Sequence, residues 1–163
     1  MLFTPYISSR YPTEIEDGCM KREELPELHY ITPIANIPSI LERGLLSYKR
    51  ATSILRRSVA MQEIQARRAK VVVPGGQRLH EYVNLYIHAR NPMLYKRQDQ
   101  HRELCVLRIS TDVLDLPGVV VADQNASSGY ARFEPAPSGL EIIERDMVFA
   151  EYWTHPDDKI KEW

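Results

Sequence analysis

Arginine, histidine and tyrosine are the residue types in this chain best placed to do chemistry. Arg56, Arg57, Arg67, Arg68 and Lys70 crowd one short basic segment. A guanidinium is a planar fork that donates paired hydrogen bonds to phosphate oxygens, so this segment suits a pyrophosphate or a nucleic-acid backbone. Read alone, it serves equally as a solvated helix face. After the turn Pro74-Gly75-Gly76 comes a stretch rich in polar aromatics, with His80, Tyr82, Tyr86, His88, Arg90 and Tyr95. Tyr82, Tyr86 and Tyr95 are suited either to stacking on flat rings or to packing in a core; His80 either points into a site or bonds to backbone.

Other chemistries find little support. His29, His80, His88, His101 and His155 show no HExxH spacing, and Cys19 and Cys105 stand outside any CxxC pair. Neither a metal centre nor a disulfide framework is expected, and reduced thiols fit a cytoplasmic setting. There is no G-x-S-x-G, no G-x-x-x-x-G-K-[ST] and no G-x-G-x-x-G, which argues against common hydrolase, nucleotide-triphosphatase and Rossmann readings. Glu151, in Phe149-Ala150-Glu151-Tyr152-Trp153, sits at a possible strand end, whereas Glu141, Glu144, Asp146, Asp157 and Asp158 read as solvated charge.

The elements that must position these groups are short and mixed. Residues 1–26 carry Pro5, Pro12 and Pro26 without a period and read as an N-terminal extension, a tail or an irregular cover, with residues 27–163 as the domain. Leu28 to Ile31 suits a strand. A helix can start at Thr32-Pro33, with Thr32 as its cap, or at Asn36 ahead of Pro38, and Gly44 should end it near Arg43. Val59 to Gln65 is compatible with helix. Tyr82 to Ile87 reads as a strand that Pro92 must break. Leu104 to Ile109 and Val119 to Ala122 are further strands, with Pro117-Gly118 as a turn between them. Residues 138–147 fit a helix capped by Ser138 with Glu141 as its capping-box partner. This mixture predicts an α+β fold.

With 163 residues, 44% hydrophobic and 26% charged, the chain matches one soluble domain with a real core. The net charge of −1 supplies no general field for nucleic acid, so contact with DNA must come from a local patch. No apolar run is long enough to span a membrane, and the N-terminus lacks a secretion signal.

Three segments, in order, resemble the DarT family of DNA ADP-ribosyltransferase toxins. The first is Tyr30-Ile31-Thr32 continuing through Asn36-Ile37 and Ile40-Leu41 to Gly44-Leu45. The second is Ile64-Gln65-Ala66-Arg67-Arg68, then Pro74-Gly75-Gly76 and Leu79-His80-Glu81-Tyr82-Val83. The third is Tyr86 to Arg90 with Asn91-Pro92-Met93-Leu94-Tyr95. Weaker similarity runs on to Pro156-Asp157-Asp158. The chain has Tyr30 where many members have the histidine of His-Ile-Thr, and His29 lies one place earlier.

The resemblance implies an ADP-ribosyltransferase-like mixed β core with flanking helices. It implies NAD as co-substrate, no metal, and transfer of ADP-ribose to a base in single-stranded DNA, thymidine first and guanosine second. Arg68 matches the catalytic arginine. His29, Tyr30, Ile31, Thr32, Ser39, Ser47, Arg67 and Arg68 are expected to hold NAD. His80, Tyr82, Tyr86 and Tyr95 are expected to meet the substrate. The family's catalytic glutamate falls beyond Trp163, so the resemblance implies a domain incomplete at its C-terminus; Glu151 is the candidate within the chain. A monomer, a cytoplasmic location and a macrodomain antitoxin are implied by analogy. The alternative is an inactive homologue that binds NAD or nucleic acid.

Overall fold

The computed structural model describes residues 2–3, 18–58 and 60–150. Its strands are β1 (Leu2–Phe3), β2 (Leu28–Pro33), β3 (Asn84–Leu85), β4 (Leu104–Ile109), β5 (Val120–Ala122) and β6 (Phe133–Pro135). Its α-helices are α1 (Ile37–Arg43), α2 (Tyr48–Ala51), α3 (Gln62–Arg68), α4 (Pro92–Tyr95) and α5 (Arg145–Val148). Short 3-10 turns fill much of the rest, so the molecule is α+β with small elements.

Two sheets form. One has the order β3-β1-β5-β6, with β1 parallel to both neighbours and β6 antiparallel to β5. The other is the antiparallel pair β2 and β4, in register from Leu28 opposite Ile109 to Pro33 opposite Leu104. The chain passes from one sheet to the other immediately after β3. Tyr86 N–H donates to the carbonyl of His29 at 2.8 Å, and His29 N–H returns a bond to Tyr86 O at 2.8 Å.

Beneath this junction lies the main core. Leu28, Leu85, Leu114, Val121 and Ile143 are wholly enclosed and pack with Ile87, Met20 and Leu25. Each such aliphatic side chain contributes about 1.5–3 kcal/mol by leaving water. A second cluster joins Val73, Leu79, Tyr82, Ala122 and Ala126 under the segment that carries Arg68.

The strand over Leu28 to Ile31, the run Leu104–Ile109 and the end of α1 at Gly44, with φ 73°, follow the sequence reading. Of residues 1–26, the described parts join the fold: Leu2–Phe3 lies between β3 and β5, and Met20 and Leu25 enter the core. Three expectations are corrected. Thr32 is not a helix cap; it ends inside β2, and the helix starts after Asn36 with Pro38 in its first turn. The strand expected over Tyr82 to Ile87 is regular only at Asn84–Leu85, because Tyr82 closes the preceding 3-10 turn. Ser138 does not cap a helix to residue 147. A 3-10 turn over Ser138–Ile142 stops where Ile143 and Glu144 extend to pair with Cys19–Met20, through Met20 N–H to Ile143 O at 2.9 Å.

Among the described residues no helix is long and apolar enough to cross a membrane. Glu151 and Trp153 lie outside the described residues.

Gly139 is pressed against β6: a Cβ there would stand 2.8 Å from the carbonyl oxygen of Glu134. Backbone cannot give way as a side-chain tip can. Gly139→Ala is therefore expected to destabilise the fold by about 1–3 kcal/mol, read from the urea midpoint.

Candidate active site

A cavity of about 250 Å³ opens between the end of β2, α3, the Tyr82–Tyr86 segment and α4. Its lining contains Arg56, Arg57, Arg68, Lys96 and Arg97, and no carboxylate among the described residues. The remaining polar lining is made of amides and phenols, chiefly Asn36, Gln65, Asn84, Tyr30 and Tyr86. Such a site attracts an anion and offers flat rings beside it.

Arg68 forms part of the cavity lining. It is the last residue of α3, and only 8% of it is exposed. Cations are favoured at a helix C-terminus, which offsets part of the cost of burying it. Burial nonetheless holds its guanidinium pKa below the ordinary arginine value, with Tyr86 acting weakly in the other direction. Its Nη2 has no hydrogen-bond partner among the described residues. Burial likewise raises the phenol pKa of both Tyr30 and Tyr86, so these rings stay neutral and present O–H groups.

Three amide side chains build the walls. Asn36 Nδ2 donates to Thr32 Oγ1 at 3.1 Å and to the backbone oxygen of Arg57 at 2.8 Å, while its Oδ1 accepts from Arg57 N–H at 3.1 Å. One amide thus fastens the segment that carries Arg56 and Arg57 to the end of β2. Asn91 caps α4 by accepting from Leu94 N–H at 3.1 Å and donates to Ala89 O at 3.0 Å, which places Met93, Lys96 and Arg97. Asn125 lies in a loop closed at its base by the buried Asp123, which takes Arg132 N–H at 2.9 Å and Nε–H at 2.6 Å.

Tyr82 is set by the glycine turn before it. Its hydroxyl accepts from Gln77 N–H at 3.2 Å, and a Cβ on Gly76 would come within 2.5 Å of that oxygen. His80 stacks on Tyr48 with ring centroids 4.3 Å apart, and Arg56 lies 4.9 Å from the centre of the same Tyr48 ring.

Of the residues singled out from sequence, Tyr30, Ile31, Thr32, Arg56, Arg57, Arg68, Tyr82 and Tyr86 line the cavity together. His80 sits one layer behind, against Tyr48. The others are not among the lining residues. His29 turns away, with Nδ1 3.2 Å from Ile87 O and Nε2 3.1 Å from Glu27, whose carboxylate is held below its usual pKa first by the hydrogen bond from Arg108. Ser39 lies in α1, Ser47 accepts from Arg50 N–H as the cap of α2, Arg67 is exposed, and Tyr95 is 67% exposed at the end of α4. Asn36, Gln65, Asn84, Lys96, Arg97 and Asn125 were not singled out as site residues. The capping signal in Asn91-Pro92 is the one cue that could have located the α4 wall.

The two-sheet α+β core that carries this cleft is an ADP-ribosyltransferase-like fold, shared with solved DarT structures. The family model described as "ssDNA thymidine ADP-ribosyltransferase, DarT" matches residues 29–162, and the chain belongs to the DarT family. A DNA ADP-ribosyl transferase from Thermus sp. (strain 2.9) is 32% identical over 152 residues, covering 85% of this chain and 73% of its own. A transferase–glycohydrolase fusion protein from Thermosipho africanus (strain H17ap60334) is 33% identical over 140 residues, 80% of this chain. This chain spans 35% of that fusion protein and 64% of a Thermus aquaticus relative that is also 33% identical. Among solved structures, Thermus sp. 2.9 DarT in complex with ADP-ribosylated ssDNA superposes with a TM-score of 0.73 at 28% identity, covering 88% of this chain and 73% of its own. The same protein in complex with NAD+ gives 0.66, covering 83% and 70%.

Burial first, and then the charge of Arg68, hold the His80 pKa below its ordinary 6.5. The unfolded chain therefore binds a proton at His80 more readily than the folded one, and stability must rise with pH across that window. The Tm is expected to be insensitive to His80 above about pH 6.5 and to fall as the pH drops below it. His80→Gln should remove that part of the pH dependence, measured as Tm at pH 5 against pH 7.5.

Proposed function

We propose that this protein transfers ADP-ribose from NAD to thymidine in single-stranded DNA. The observation that carries the reading is Arg68: buried, without a partner on Nη2, and set in a cleft whose charged lining among the described residues is entirely cationic. The DarT match and the relatives solved with NAD+ and with ADP-ribosylated ssDNA support it.

NAD enters as substrate. Its pyrophosphate is matched by Arg56 and Arg57 on one wall and Lys96 and Arg97 on the other, and the neutral rings of Tyr30 and Tyr86 offer faces for the nicotinamide or the incoming base. The nicotinamide–ribose bond breaks through an oxocarbenium-like state, which a carboxylate beside the sugar stabilises. Glu151 is the carboxylate proposed for this role within the chain. Nicotinamide leaves with the electrons of the broken bond, and the base nitrogen bonds to the ribose carbon in its place. The proton of that nitrogen passes to solvent, while Arg68 orients the base oxygen and stabilises the negative charge that the base develops. Single-stranded substrate avoids the few kcal/mol needed to unstack a paired base. The reversing partner we assign is a macrodomain antitoxin, a pairing supported by the transferase–glycohydrolase fusion of the Thermosipho relative.

The deciding experiment incubates the protein with NAD and thymidine-containing oligonucleotides and weighs the DNA by mass spectrometry. An added ADP-ribose is expected with the natural sequence and none with Arg68→Ala. Glu151→Gln should slow transfer roughly 10²–10³-fold, the usual loss for a group that stabilises transition-state charge. Full activity in Arg68→Ala would defeat the assignment, and full activity in Glu151→Gln would remove Glu151 from the role.

A further inference from the structure

Arg56 is held differently from its neighbour in the cleft. Arg57 gives its guanidinium to Glu103 at 2.8 Å. Arg56 is half-buried, and its side chain makes neither an ion pair nor a hydrogen bond with any described residue. Its guanidinium carbon lies over the ring of Tyr48, 4.9 Å from the ring centre. Arg56 and Tyr48 both line the cavity.

The Tyr48 ring is itself a fixed surface. Tyr48 opens α2 directly after the cap Ser47, which is buried and whose hydroxyl accepts from Arg50 N–H at 3.4 Å. His80 stacks on the ring with centroids 4.3 Å apart and planes inclined by 30°. One position further along each element, Lys49 Nζ donates to Glu81 Oε1 at 2.5 Å. His80 follows Leu79, which is wholly enclosed in the second core cluster. Contacts therefore run from that cluster through His80 and Tyr48 to Arg56.

A carboxylate and a ring face hold a guanidinium in different ways. A carboxylate takes up N–H donors and neutralises the charge. A ring face attracts the cation through its quadrupole and has no carboxylate oxygen to occupy those donors. A guanidinium seated on a ring keeps its charge and its fork of N–H groups for a ligand. The seat also restricts a long side chain before binding, so less freedom is lost when the ligand arrives.

We propose that Tyr48 is a positioning residue whose ring seats Arg56 in advance, leaving the N–H donors of Arg56 free for the phosphate oxygens of the ligand. The proposal rests on the reading of this cavity as the site for the pyrophosphate of NAD, and it names what prepares the strap to hold that group.

The test titrates the full chain by calorimetry with NAD and, separately, with inorganic pyrophosphate. Arg56→Gln is expected to weaken both ligands by at least about tenfold, the usual loss of a hydrogen bond to a charged group. Tyr48→Leu should weaken them roughly three- to thirtyfold, whereas Tyr48→Phe, which keeps the ring, should stay within about twofold of the natural sequence. In an Arg56→Gln background Tyr48→Leu should have no further effect, because no guanidinium is left to seat. A ring that served only folding, or that touched the ligand directly, would weaken binding equally in both backgrounds, and that result overturns the proposal. Unchanged binding in Arg56→Gln overturns it as well, as does coupling with neither ligand. Coupling with pyrophosphate in a protein that does not bind NAD leaves the seat standing and removes the NAD reading. Coupling with either ligand in a protein that never modifies DNA leaves the seat standing and defeats the proposed activity.

Discussion

Everything in this molecule hangs on three consecutive residues, Asn84, Leu85 and Tyr86. Alternation along an extended chain sends successive side chains to opposite sides, and here it serves two structures at once. Leu85 is wholly enclosed in the core, while Asn84 and Tyr86 on either side of it line the cavity. The backbone of Asn84–Leu85 pairs with β1 of one sheet, and that of Tyr86 pairs with His29 of the other. The two sheets and the site therefore share a single segment. A shift of one residue there would bury two polar side chains and expose a leucine, so the hydrophobic core fixes the register of the site.

The cleft built on this segment is electrostatically one-sided. Its cations come from separate elements: the strap before α3, the end of α3 itself, and the turn after α4. Folding gathers them against mutual repulsion, and the core beneath must supply the difference. Partial relief comes from outside the cavity, where Arg57 reaches Glu103 at 2.8 Å. The overall charge of −1 hides all of this, because the acids lie mostly elsewhere on the surface. A chain with no global attraction for nucleic acid can still present a locally strong anion site.

Much of this was legible in the residues, for physical reasons that differ from element to element. Leu104–Ile109 is an apolar run broken only by the exposed Arg108, and Gly44 marks the end of α1 because a positive φ suits a residue without a side chain. Arg68, Thr32, Tyr30 and Tyr86 stood out through residue type and through resemblance. By contrast, Leu2–Phe3 becomes a strand through partners more than eighty positions away, at Asn84, and more than a hundred away, at Val120. No local pattern encodes that. Ser138 has the residue type of a cap, but pairing between Ile143–Glu144 and Cys19–Met20 overrides it. Asparagines and glutamines are common on any surface, so Asn36, Gln65, Asn84 and Asn125 carry no signal until the fold turns them inward. His29 has the chemistry of a site residue, and in the fold its ring nitrogens face Glu27 and Ile87.

Asn36 has one more implication. Its amide holds the neighbouring wall through hydrogen bonds to the N–H and C=O of position 57, which are backbone groups. Attachment is thus written in a backbone language that almost any amino acid speaks. The strap between α2 and α3 can exchange its side chains, and with them the shape and charge offered to a ligand, while remaining moored at the same point. Variation in what such a protein selects and the integrity of its scaffold are in this way kept on separate accounts of the sequence, and the strap is where diversification can proceed without refolding the rest.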